Sequence, residues 1–264
     1  MSEGAAASTV NKEKAALSKI FQVLMELRHL EVNPARMVRG LSEKDGEREI
    51  YISSGDYHAI LRRLPRWVQP ITQTAYFTGM RRGEILCLTR RHIDLKKRLI
   101  YLGSEEVKER KRKRVPVHRD LVPILLDVMK VQALGSDNVF LVDGKPPYPD
   151  SVRKPWVKAV KAVGLEPAPT FHDLRHTWAG NADRSGMPEQ IREKIWGHWN
   201  RGKDVSERYP AISDDCLVRA IDNVTFDHGE TEILVSSRKE KSDSRSRTPM
   251  SEILGTNWEQ SATR

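Results

Sequence analysis

Cysteine is nearly absent: Cys87 and Cys216 are the only two in 264 residues, and their separation matches no metal-ligand spacing. That excludes a disulfide scaffold and a cysteine zinc module, and suits a reducing compartment. No uninterrupted apolar run reaches the roughly 20 residues that span a bilayer. The first residues, MSEGAAASTVNKEK, lack the apolar core of a secretory signal. No internal repeat is visible. These absences together read as a soluble chain of the cytoplasm, without a membrane partner.

What the chain has instead is positive charge. A formal net charge of +9 and a pI near 9.6 favour an anionic partner. The charge concentrates in KERKRKR at 108–114, six basic residues and one acid in seven positions. Such a run contacts phosphates electrostatically whatever else it does.

Periodicity predicts a mainly helical fold with a small antiparallel β-sheet. Leu17, Ile20, Phe21, Leu24, Leu27 and Leu30 recur at helical spacing over 12–32, and Asn33-Pro34 should end that helix. Residues 40–55, charged and rich in Gly and Ser, read as a linker. Helical patterns follow at 56–64, from Trp67 to a stop at Gly79, at 83–88, 119–133, 150–163, 172–184, 188–196 and 211–222. Leu99–Leu102 and Val115–Val117 are strand-like on either side of the basic turn. From Asp227 onward the composition turns polar, mixed in charge and serine-rich, which predicts a disordered tail.

The stretch from Thr170 to Tyr209 organises the rest. His172 and Arg175 are three apart and share one face of a helix. Gly186 and Pro188 end that helix and open the next, and Gly197 stops the second just before His198. Upstream, TGMRRGEIL repeats the device, with Arg81 at the turn and Glu84 in the first turn of the following helix. Two arginines, two histidines and a tyrosine suit chemistry on a phosphodiester. Guanidinium forks match the non-bridging oxygens, and a phenol can act as nucleophile. His172 and His176 at i and i+4 also resemble a helical zinc motif of the H-E-x-x-H type. That motif needs a glutamate where Asp173 stands, a third ligand, and no cation such as Arg175 beside the metal. The expectation is no metal and no cofactor.

Four motifs, TGMRRGE at 78–84, HDLRH at 172–176, GHW at 197–199 and ERY at 207–209, resemble in order and spacing those of the tyrosine recombinase (phage integrase) family. The resemblance runs from about Ile50 to Phe226 and more weakly back to about Lys12. It implies a remnant of a core-binding clamp domain over 1–48, a catalytic domain over 49–227 and the tail over 228–264. The earlier clamp helices are not found, as in a truncated or reduced form.

The resemblance also implies roles. Tyr209 would attack the scissile phosphate, Arg81 and Arg175 would hold its oxygens, His172 would act as general acid/base, and His198 would donate a hydrogen bond. Lys108 would protonate the leaving 5′ oxygen, with Lys111 and Lys113 as competitors in the same turn and Arg110 where the family commonly has glycine. Arg82 competes with Arg81, and only the TG-x-R pattern selects the latter. Glu84, Asp173 and His176 would support the site, the two carboxylates by pairing with arginines. Arg82, Arg110, Lys111, Arg112, Lys113 and Arg114 would touch DNA. The segment between His198 and Tyr209 is longer than the family pattern. Implied partners are double-stranded DNA and three further copies in a tetramer on paired sites, and the implied location is the nucleoid. The rival expectation is a truncated integrase that grips DNA without cutting it.

Overall fold

The computed structural model describes residues 4–42, 48–107, 112–130, 136–197, 212–226 and 233–235, with the backbone alone at 48, 49 and 233–235. Its helices are α1 (Ala7–Glu26), α2 (Pro34–Met37), α3 (Ser54–Leu61), α4 (Gln69–Thr78), α5 (Arg82–Leu86), α6 (Val122–Lys130), α7 (Pro149–Val163), α8 (Asp173–Arg184), α9 (Glu189–Trp196) and α10 (Asp214–Asp222). Its strands are β1 (Arg48–Ile50), β2 (Ile93–Asp94), β3 (Leu99–Leu102), β4 (Lys113–Pro116) and β5 (Ile233–Val235). Strands β2, β3 and β4 form an antiparallel sheet in that order, with Ile100 opposite Val115 and Leu102 opposite Lys113. The expected fold class, mainly helical with a small antiparallel sheet, is the one observed. None of the described helices is long and apolar enough to cross a membrane.

The core is built around α4 and α8. In α8, Leu174, Trp178 and Ala182 recur every fourth residue and are fully buried. In α4, Ile71 and Ala75 make the same repeat. Gly79 ends α4 in the left-handed conformation, φ 63°, and a Cβ on it would stand 2.7 Å from the Trp178 ring. Only glycine lets the end of α4 rest directly on α8. Gly164 and Gly197 close α7 and α9 in the same conformation.

Two boundaries differ from the sequence reading. α1 ends at Glu26, short of Asn33-Pro34, and Arg28 beyond it takes φ 58°. Asn33 starts a helix rather than ending one: its side chain accepts a hydrogen bond from Ala35 N, and Pro34 fills the first position of α2. None of α1's residues is buried, and its apolar side chains Leu17, Ile20 and Val23 are each more than half exposed. The second difference is at the far end. Residues 233–235, within the stretch expected to be disordered, pair antiparallel with β1, within the stretch expected to be a linker. Tyr51, next to β1, donates its hydroxyl to Asn181 Oδ1 at 2.7 Å, which ties that strand to α8.

Replacing Gly79 with alanine should destabilise the fold by about 3 kcal/mol. Left-handed backbone costs an L-residue about 1–2 kcal/mol, and overpacking against Trp178 adds a similar amount. Chemical denaturation of Gly79→Ala beside wild type measures this.

Candidate active site

Four helix ends converge: the end of α4, the starts of α5 and α8, and the end of α9. Arg81 occupies the position just before α5, in an extended conformation, φ −68° and ψ 145°. Its backbone N–H donates to Glu84 Oε2 and its guanidinium to Glu84 Oε1, both at 3.1 Å. Glu84 therefore closes the first turn of α5 and fixes the arginine's side chain at once. Arg175, one turn into α8, is buried. Its NH1 donates to the Gly79 carbonyl at 2.7 Å and its NH2 to the Trp196 carbonyl at 2.6 Å. The carbonyls it uses belong to the ends of α4 and α9, where helices leave acceptors unsatisfied and carry partial negative charge. Its guanidinium carbon lies 4.9 Å from the centre of the Trp196 ring.

His172 stands immediately before α8 with its ring exposed. Partial desolvation lowers its pKa from 6.5, His176 and Arg175 add to the shift, Asp173 opposes it, and Arg81 contributes last. The shift favours the neutral ring. His176 meets it edge to face at 5.1 Å between ring centres, and meets Trp196 at 6.3 Å. The two supporting carboxylates part ways. Glu84 pairs with an arginine, whereas Asp173 accepts from Thr170 N at 2.6 Å and Thr170 Oγ1 at 2.8 Å, fixing the turn that enters α8.

The basic run also divides. Arg112 is exposed. Lys113, expected to touch DNA, is buried, and its Nζ lies 2.9 Å from Glu84 Oε2. Burial lowers its pKa to about 8, against the pull of Glu84 and with the repulsion of Arg175 and Arg81. Burial alone would raise the Glu84 carboxyl, yet the charge and hydrogen bond of Lys113, with help from Arg81, bring it below 4.5. Arg114 pairs with Asp214 and donates to the Ile212 carbonyl at 3.0 Å, which anchors α10 to β4. Lys108, Arg110, Lys111, His198 and Tyr209 lie outside the described residues.

Beside this cluster a groove of about 830 Å³ opens between the start of α5 and α7, lined among others by Arg82, Arg153, Trp156, Lys161, His172 and Arg175. The exposed face of α7 carries Arg153, Lys154, Lys158 and Lys161. Sequence reasoning passed over that face, although its basic residues stand at helical spacing. The Lys113 contact had a signal as well. On a strand, residue 113 points the same way as Val115, which is fully buried.

Glu84→Gln should cost about 3 kcal/mol at neutral pH, because it leaves the Lys113 charge buried without its partner. The Glu84 pKa lies below its ordinary 4.5. Its stabilisation is therefore whole above that pH and is lost as the pH falls through the lower folded-state value. Denaturation curves of wild type and Glu84→Gln should accordingly converge in acid.

Residues 53–215, more than half of the chain, match the model of the phage integrase family. The integrase of Salmonella phage P22 is 25% identical over 187 residues, covering 63% of this chain and 46% of that protein. The shufflon-specific DNA recombinase of Escherichia coli is 30% identical over 224 residues, covering 81% of this chain and 54% of that one. The chain thus spans about half the length of these relatives. A lambda integrase tetramer bound to a Holliday junction superposes with a TM-score of 0.62 at 22% identity, over 76% of this chain and 61% of that one, a likeness of fold. By its family match, its fold and its clustered arginines and histidines, the chain belongs to the phage integrase family, the tyrosine recombinases.

Proposed function

We propose that this protein is a site-specific DNA strand transferase that cuts and rejoins duplex DNA through a covalent 3′-phosphotyrosine. The observation that carries the reading is the convergence of Arg81, Arg175 and His172 where the ends of α4, α5, α8 and α9 meet, with the two guanidinium groups held by protein acceptors. A phosphodiester under in-line attack gains charge on its equatorial oxygens. Fixed cations stabilise that charge more than they stabilise the ground state.

In this reading the Tyr209 oxygen attacks the scissile phosphorus, and the bond from phosphorus to the 5′ oxygen breaks. His172, whose lowered pKa favours the neutral ring, takes the phenol's proton, and Lys108 supplies one to the departing 5′ oxygen. His198 hydrogen-bonds a non-bridging oxygen, with His176 behind His172. The phosphotyrosine keeps the bond energy, so the reverse steps join a second strand without a nucleotide cofactor. The duplex would lie across Arg82, Arg112 and the basic face of α7, with Arg110 and Lys111 adding phosphate contacts. The assembly would be a homotetramer on two DNA sites, as in the lambda integrase tetramer on a Holliday junction.

Tyr209→Phe should bind duplex DNA as wild type does and form no denaturation-resistant protein–DNA adduct. Equal adduct from the phenylalanine variant would assign another nucleophile, and no adduct from wild type would leave a DNA-binding protein without strand-cleaving activity. Because the His172 pKa lies below 6.5, the acid side of the pH–rate profile should fall off only below that pH. Loss of rate already at neutral pH would remove His172 as the base.

A further inference from the structure

Lysine is almost never fully buried unless it is paired. Lys113 is only 4% exposed, although it belongs to the most basic run of the chain. Its stem passes the end of α9, where a Cβ on Gly197 would meet its Cε at 3.6 Å. Its ammonium stops on Glu84, the residue that also holds both the backbone and the guanidinium of Arg81.

We propose that Lys113 is a positioning residue, which fixes the Glu84 carboxylate from β4 and through it aims the Arg81 guanidinium at the phosphate. The assignment rests on the strand-transfer reading. A carboxylate paired with Arg81 alone would cancel most of that arginine's field where the phosphate is bound. Shared between two cations, the same carboxylate orients Arg81 and leaves the site net positive. The contact also spans 29 positions of sequence, so it locks the sheet to the start of α5. Among the described residues, the charged groups facing Lys113 are Glu84 and Arg81 from the α5 turn and Arg175 from α8. From α9, Lys194 is set against Arg114 instead.

A positioning role differs from proton donation. A donor is dispensable when the leaving group is a thiolate, whereas a residue that aims Arg81 at the non-bridging oxygens is needed on either substrate. Lys113→Met, Lys113→Arg, Glu84→Gln and the Glu84→Gln/Lys113→Met double variant should be compared in single-turnover adduct formation on saturating duplex. Thermal unfolding of each variant accompanies the rates. Lys113→Met should slow adduct formation about a hundredfold, the scale of losing one fixed electrostatic donor. The defect should be as large on a duplex with a 5′-bridging phosphorothioate, and in the Glu84→Gln background the same change should cost less than about threefold.

Wild type should also lose rate as the pH rises through about 8, where the Lys113 ammonium gives up its proton. Lys113→Arg should keep its rate through that range, because guanidinium stays charged. A defect that vanishes on the phosphorothioate would make Lys113 the proton donor and overturn the proposal. Additive losses in the double variant, or a limb near pH 8 that persists in Lys113→Arg, would overturn it too. If Lys113→Met does not fold, the Lys113→Arg profile decides alone. If wild type forms no adduct, the strand-transfer reading fails by itself. Duplex affinity then tests the coupling, where Arg81→Ala and Lys113→Met should be non-additive and additivity overturns the proposal.

Discussion

One buried carboxylate holds the site together. Glu84 uses Oε1 for the Arg81 guanidinium and Oε2 for the Arg81 backbone and the Lys113 ammonium. Among the described residues, Lys113 feels the repulsion of two further cations, Arg81 and Arg175. Repulsion among them is the cost of a place where a phosphate would be welcome, and Glu84 offsets enough of it for the fold to tolerate the cluster.

Backbone geometry does the rest of the positioning. Arg175 donates to carbonyls at the ends of α4 and α9, so helix termini help to set its direction. Those termini stand where they do because Gly79 and Gly197 take left-handed conformations and stop their helices there. At Gly79 the missing side chain matters twice, since the conformation disfavours a Cβ and the Trp178 ring fills the space one would need. Site and core are therefore built from the same contacts. Trp178 packs the interior three residues after Arg175, itself buried, reaches the ends of α4 and α9.

Strand β4 shows how one basic segment serves several ends. Arg112 faces solvent, Lys113 turns inward to Glu84, and Arg114 reaches across to Asp214 and the Ile212 carbonyl. Alternation along a strand puts adjacent residues on opposite faces. Lys113 and Arg114 therefore face opposite sides of β4, and Arg112, just before the strand, is the exposed one of the three.

By itself the sequence determined the helix stops at Gly79, Gly164 and Gly197, the small sheet, and the grouping of Arg81, Glu84, His172 and Arg175 at helix ends. Each of these follows from residues a few positions apart, where sterics and hydrogen bonding act locally. Tertiary structure decided that Lys113 reaches Glu84 and that Asp173 binds Thr170 rather than an arginine. It also decided that residues 233–235 return to pair with 48–50. A Lys/Arg run is locally degenerate, since every member is equally at home in water. What separates Lys113 from its neighbours is a carboxylate 29 positions away, brought within reach only when the sheet packs against the first turn of α5.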